Sequence, residues 1–271
     1  MMILRYDSAT PGSHRRVMDM TNIWHGGSVF LIGGGPSLRD LVANGCVKNL
    51  QSPGISTMAM NNSVTVFRKP SMWCGCDHPA CYSPELLQDG SIMKFAPLSY
   101  SEAVINSETY RYSPNTMFFL LDDKIPWSSA FEVNRGLPWF GNTMFVSIVL
   151  LYMLGFRRIF LVGCDLGFTD SVYGYPTDLS EAEKEWNRTL YKYQREELSA
   201  LRPVFESNGL TITPCTTSRH SGHVLFKAYD TMSVDDAVEK VRQPLHLSMD
   251  KCTHSSQLIN KTKPLQAQEA L

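Results

Sequence analysis

The stretch Gly141-Asn142-Thr143-Met144-Phe145-Val146-Ser147-Ile148-Val149-Leu150-Leu151-Tyr152-Met153-Leu154-Gly155-Phe156-Arg157-Arg158-Ile159-Phe160-Leu161-Val162-Gly163-Cys164-Asp165-Leu166-Gly167-Phe168 decides the fold. From Met144 to Leu154 it is apolar on every face except at Ser147, so a helix here has to be covered all round and belongs in the middle of a core. The run is too short to cross a bilayer, which takes about 20 apolar residues. Asn142 or Thr143 is a good N-cap, Gly155 stands where a C-cap belongs, and Arg157 and Arg158 suit the negative end of the helix dipole. Ile159 to Val162 is then short, fully apolar and β-rich, the pattern of a central parallel strand buried on both faces. Gly163-x-Asp165-x-Gly167 follows at its carboxyl end, and in open α/β sheets that edge is where ligands bind.

The rest of the chain fits one α/β domain. Its 271 residues are enough for a substantial core. A formal net charge of −1, with 19% charged and 43% hydrophobic residues, gives no overall electrostatic attraction for nucleic acid or a membrane surface. Seven cysteines are scattered and odd in number, several of them inside apolar strand-like runs, which reads as reduced thiols in a cytoplasmic protein. The first 25 residues lack a signal-peptide layout and no membrane span is expected. Residues 1–27 read as a polar surface extension, 28–243 as a single Rossmann-like nucleotide-binding domain, and 244–271 as a polar, flexible tail.

Outward from the central stretch, Val29 to Ile32 is a second buried strand opening into Gly33-Gly34-Gly35-Pro36-Ser37. Three glycines allow close approach of a ligand to the backbone. Ser37 is placed to cap a helix over residues 38–44, which would make the loop a phosphate cradle. Pro36 and Ser37 match neither the Walker loop nor the dinucleotide fingerprint. Strands are expected over 56–60, 72–76, 92–95, 117–121 and 210–215. Asn61 and Asn62 close the first of these and can read a base or ribose, or simply punctuate a turn. Asp77 closes the second. Cys74, Cys76, His78 and Cys81 invite a zinc reading, but no second pair at finger-like spacing follows, and no metal is assigned. Ser180 and Glu183 form a capping box that starts a long helix, with an apolar face expected through Trp186, Leu190, Tyr193, Leu198, Leu201 and Phe205. His220 and His223 follow the last strand, and residues 234–241 read as a closing helix.

Leu31-Ile32-Gly33-Gly34-Gly35-Pro36-Ser37-Leu38, Asn61 after the next strand, and Gly163-Cys164-Asp165-Leu166-Gly167-Phe168 together resemble one group of proteins. It joins the bacterial motility accessory factors, the MptE-like 6-hydroxymethylpterin diphosphokinases and the bacterial sialyltransferases of glycosyltransferase family 42. The resemblance runs from about Val29 to Cys215. It implies a Rossmann-like open parallel sheet with helices on both faces, and a nucleotide whose phosphates lie near Gly33 to Ser37 with its base or ribose near Asn61. In the sialyltransferases an asparagine stands where this chain has Gly34, and two tyrosines assist the departing phosphate. Tyr173 keeps one of those positions; the other falls on Gly167. No histidine lies between His78 and His220, where the family's catalytic histidine belongs. The base then comes from Asp165, Asp170 or a histidine of the loop at His220.

The expected function is transfer of a sugar from a nucleotide-sugar donor, CMP- or UDP-linked, to an acceptor hydroxyl. One group takes the acceptor proton, while Tyr173 and helix amino ends, the second at Asn142-Thr143, stabilise the departing phosphate. Asp165 is the first candidate for the base, and capping backbone N–H groups, holding a ribose or tethering its own loop are its other uses. The alternative enzyme is a diphosphokinase moving pyrophosphate from ATP to a hydroxymethyl group, with Mg²⁺ on Asp77 and Asp165. A nucleotide-binding protein with a degenerate site is the third reading. The acceptor (glycan, protein or modified nucleic-acid base) stays open, as does a homo-oligomer.

Overall fold

The computed structural model describes residues 2–5, 16–105, 107–110, 112–132, 136–168, 171–216 and 229–243. Ten strands form one sheet: β1 Met2–Arg5, β2 Arg16–Asp19, β3 Ser28–Ile32, β4 Thr57–Met60, β5 Met72–Cys74, β6 Met93–Pro97, β7 Thr116–Phe119, β8 Arg158–Val162, β9 Thr211–Thr216 and β10 Met232–Ser233. Their spatial order is β10-β9-β8-β3-β4-β5-β6-β7-β1-β2. The eight strands from β10 to β7 are parallel, and β1 and β2 add an antiparallel edge.

The helices are α1 Ser37–Ala43, α2 Val47–Leu50, α3 Pro84–Gln88, α4 Thr143–Met153, α5 Glu181–Ser207 and α6 Val234–Arg242. Alternation along the strands splits the core into two layers. Val29 and Leu31 of β3 and Ile159 and Leu161 of β8 pack with α4 and α5. Phe30, Ile32, Phe160 and Val162 face the other way, onto α1, α2, α3 and α6. This is the open Rossmann-like α/β sheet with helices on both faces.

In α4 every residue except Tyr152 is buried, as an all-apolar helix requires. It ends where Gly155 takes φ 108°, and a Cβ there would lie 2.8 Å from the backbone of Trp24 and His25. The same segment satisfies the helix end, since Asn22 and Trp24 N–H groups donate to the Met153 and Leu154 carbonyls, each at 2.9 Å.

The amino-terminal segment therefore differs from a surface extension. β1 lies along β7, with Leu4 opposite Phe118, and residues 22–26 close the carboxyl end of α4. Four-residue edge strands are too short to show a period in the sequence. The long helix starts at the Ser180–Glu183 capping box and buries Leu198, Leu201 and Phe205 as expected, but the first half of the expected face does not point inward. Trp186 and Tyr193 are 68% and 54% exposed, and Gln194, Leu198, Leu201 and Phe205 are the buried positions. Spacings of four, three and four residues make that face continuous. The 244–271 tail lies outside the described residues. Among the described residues no helix is long and apolar enough to cross a membrane.

Chain order sets where a ligand can enter. β3 is central; β4 to β7 follow one after another on one side of it, and α4 then carries the chain back so that β8 to β10 build the other side. The direction of winding reverses between β3 and β8. Loops leaving the carboxyl ends of those two strands diverge there, and the gap between them is the ligand position of a doubly wound sheet.

Candidate functional site

A cavity of about 420 Å³ opens at this reversal. Gly33, Gly34 and Gly35 border it after β3, Asn61 and Asn62 after β4, Asp77 after β5, Asn142 and Thr143 at the start of α4, and Asp165 and Tyr173 after β8. These are most of the residues singled out in the sequence, gathered from five segments. Pro36 and Ser37 are not on its wall, and His220 and Asp170 lie outside the described residues.

The glycine loop is shaped by protein before any ligand arrives. Gly33 N–H donates to the Val162 carbonyl and Gly35 N–H to the Gly163 carbonyl, each at 2.7 Å. A Cβ on Gly35 would stand 2.5 Å from an Asp165 carboxylate oxygen. Asp165 accepts the Ser37 main-chain N–H at 2.7 Å on Oδ2 and the Ser37 hydroxyl at 2.5 Å on Oδ1. Ser37 thus does not cap α1; the residue before the helix is Pro36, which makes no side-chain cap, and the charged cap comes from the loop after the neighbouring strand β8. The phosphate cradle expected at Ser37 is filled by the protein's own carboxylate, which gives Asp165 the tethering role.

Gly34 is covered by a tyrosine. A Cβ on it would lie 2.7 Å from the Tyr175 ring, and Tyr175 stacks on Tyr173 with centroids 5.0 Å apart and planes within 6°. Burial raises the Tyr173 phenol above the ordinary tyrosine range; a hydrogen bond from the Tyr191 side chain opposes this, and the Asp77 charge adds to it. Tyr175 and Tyr191 are raised in the same way, chiefly by burial. All three are protonated at neutral pH and offer O–H donors.

Asn61 is held in one orientation. Its backbone is left-handed, at φ 46°, its Oδ1 accepts from Tyr82 at 2.9 Å and from Thr143 at 3.3 Å, and its carbonyl accepts from the Trp73 indole at 2.9 Å. With the oxygen occupied, the amide donor is the end left for the cavity. Asn62 donates to the Cys81 carbonyl at 3.5 Å, closer to turn punctuation. Asn142 is the N-cap of α4, its Oδ1 accepting the Met144 N–H at 2.6 Å.

Asp77 is exposed at the cavity mouth, and its main-chain N–H donates to the Tyr82 hydroxyl oxygen at 3.2 Å. The Cys74 and Cys76 thiols are buried side by side, and the Cys76 thiol is raised first by its hydrogen bond with Cys74 and then by burial. Cys81 is exposed and His78 Nδ1 accepts the Ala80 N–H at 3.2 Å, so the four do not converge. Among the described residues no group of three or more His, Cys, Asp or Glu side chains is arranged around a metal position.

Sequence reading missed one wall. Asn187, Leu190, Tyr191 and Gln194 of α5 border the cavity, with Tyr175 and Thr177 before the helix. Gln194 was readable as the polar member of a buried stripe through Leu198, Leu201 and Phe205, but only once the helix face is known. The wall as described carries phenols, carboxamides, hydroxyls and two carboxylates, and no Lys, Arg or His among the described residues. No protein-family model matches this chain, and a search of curated proteins finds no similar sequence.

Proposed function

We propose that the cavity binds a nucleotide-sugar, such as a CMP- or UDP-linked donor, and transfers its sugar to an acceptor hydroxyl. The supporting observation is the meeting, in one cavity at the reversal of the sheet, of the Tyr173 phenol, the fixed Asn61 amide, the amino end of α4 and the Asp77 carboxylate. The amide and the α4 amino end suit a base or ribose and a phosphate. Tyr173 donates to the phosphate oxygen as the bond from that oxygen to the sugar carbon breaks, so its contribution grows in the transition state. Asp77 takes the proton of the acceptor hydroxyl as that oxygen bonds to the same carbon, and the nucleotide leaves with the electron pair of the broken bond. Asp77 replaces Asp165 as the base because both Asp165 oxygens already accept from Ser37.

The diphosphokinase alternative asks Asp77 and Asp165 to share Mg²⁺, and the commitment of Asp165 to Ser37 weighs against it. The test is a melting-temperature screen against CMP-, UDP- and GDP-sugars and ATP, with and without Mg²⁺, followed by product analysis with pooled acceptors. Sugar transfer that is lost in Asp77→Asn supports the proposal. AMP release from ATP, or binding without any product, overturns it.

A further inference from the structure

One buried phenol behind the cavity wall joins two arms of the site. Tyr82 is 7% exposed and stands edge-on to the Trp73 ring, with centroids 4.8 Å apart. Its hydroxyl lies between the loops that follow β4 and β5, which carry Asn61 and Asp77 to the cavity. The Tyr82 oxygen accepts the Asp77 main-chain N–H at 3.2 Å. A phenol has one proton to give. It goes to Asn61 Oδ1 at 2.9 Å, since the Asp77 carboxylate oxygen is farther away, at 3.3 Å.

A carboxamide can turn end for end, and what its oxygen accepts decides which end faces a ligand. Thr143 also contacts Asn61 Oδ1, at 3.3 Å, but a threonine hydroxyl serves either end of the amide by rotating. Tyr82 is less indifferent, because the Asp77 N–H already donates to its oxygen and directs its proton outward. The three groups form a chain, from the Asp77 N–H through the Tyr82 hydroxyl to the Asn61 carbonyl, and hydrogen bonds in series strengthen one another. The Asn61 NH₂ group is the end of that chain. The backbone beneath it is fixed as well, at φ 46° with its carbonyl accepting from the Trp73 indole. A residue other than glycine keeps such a conformation where its surroundings over-determine it, and such positions cluster at ligand sites.

We propose that Tyr82 is a positioning residue for the nucleotide. Acting through Asn61, its hydroxyl presents that carboxamide to the cavity as a hydrogen-bond donor, so that the site takes a ligand group that accepts, such as a nucleobase carbonyl or a ribose oxygen. The proposal rests on the nucleotide part of the reading above and adds the residue that orients its recognition.

Titration calorimetry of the full chain with CMP, UDP, GDP and ATP tests it, using Tyr82→Phe, Asn61→Ala and the double variant alongside thermal melts. Tyr82→Phe keeps the ring against Trp73 and removes only the hydroxyl. Affinity for the nucleotide that binds tightest should fall about tenfold in Tyr82→Phe, the worth of one hydrogen bond. In the Asn61→Ala background the same substitution should change affinity less than twofold, because the residue through which it acts is gone. Tyr82→Met, which also lacks a hydroxyl, takes its place if the phenylalanine variant does not fold. A loss of similar size in both backgrounds overturns the proposal and leaves nucleotide binding standing. So does unchanged affinity with a lowered Tm, which would make Tyr82 a packing residue only. Failure of all four nucleotides to bind the unaltered chain overturns the proposal and the nucleotide-sugar reading together.

Discussion

Asp165, in the loop after β8, accepts both the main-chain N–H and the hydroxyl of Ser37, 128 residues away in sequence. The two loops of the sheet's reversal point are thereby joined by a charge-assisted pair of hydrogen bonds, and a carboxylate stands at the amino end of α1. Asp165→Asn keeps one accepting oxygen and presents an NH₂ group to the other donor. We expect a loss of about 1–3 kcal/mol in urea denaturation, and a smaller loss in Ser37→Ala. An Asp165→Asn protein of unchanged stability that has lost turnover would return the residue to the chemistry.

Gly34 and Gly35 are adjacent but should respond differently. A side chain at Gly34 meets the Tyr175 ring, which can swing, whereas at Gly35 it meets Asp165 and the Gly163 carbonyl at 2.5 and 2.7 Å. Gly34→Val is expected to fold and to bind nucleotide more weakly because the Tyr173–Tyr175 stack is displaced. Gly35→Ala should lose about 1–3 kcal/mol of stability through overpacking. Thermal melts alongside nucleotide titrations separate the two; equal behaviour would show that the loop is one undifferentiated turn.

Tyr173→Phe removes a donor while keeping the ring that stacks on Tyr175. If the phenol serves the departing phosphate, kcat falls on the order of a hundredfold, with nucleotide affinity nearly unchanged. Steady-state kinetics on the transferred sugar provide the check. A rise in KM at constant kcat would mean that Tyr173 only binds the ground state.

Lys94 is not on the cavity wall, and its burial bears on stability instead. It is fully buried in β6, and its ammonium donates to the Ile92 carbonyl at 3.0 Å, to Ser113 at 2.9 Å and to Asn115 at 3.3 Å, with the Asp89 carbonyl as a further acceptor. Burial pushes the Lys94 amine down to about 8, partly opposed by Asp89. The folded value lies below the unfolded one, so between about pH 8 and 10 the unfolded chain holds more protons and stability rises with pH, by at most about 1.4 kcal/mol per unit. Lys94→Met should lack that rise in the difference between the two proteins' urea midpoints, and at pH 7 it should be less stable by about 2–3 kcal/mol because buried acceptors are left unpaired. Parallel pH profiles for the two proteins would assign the slope to other groups.

Residues 141–168 alone determined a buried helix followed by a central parallel strand, because an all-apolar helix and an all-apolar strand have no solvent-facing side to choose. The glycine loop, Asn61, Asp77 and the Asn142 cap were legible as well, since each sits at the end of a strand or the start of a helix, where local residue chemistry is informative. Tertiary structure decided what each one touches. Asp165 could not be read as the partner of Ser37, nor Gly34 as the seat of Tyr175, because such contacts depend on which strands become neighbours. The inner face of α5 was legible at Leu198, Leu201 and Phe205 and misread before them for a related reason: Trp186 and Tyr193 are more apolar than Gln194, yet helix phase is set by what the sheet and α4 leave uncovered. That phase turned a glutamine toward the cavity and two aromatic side chains toward solvent.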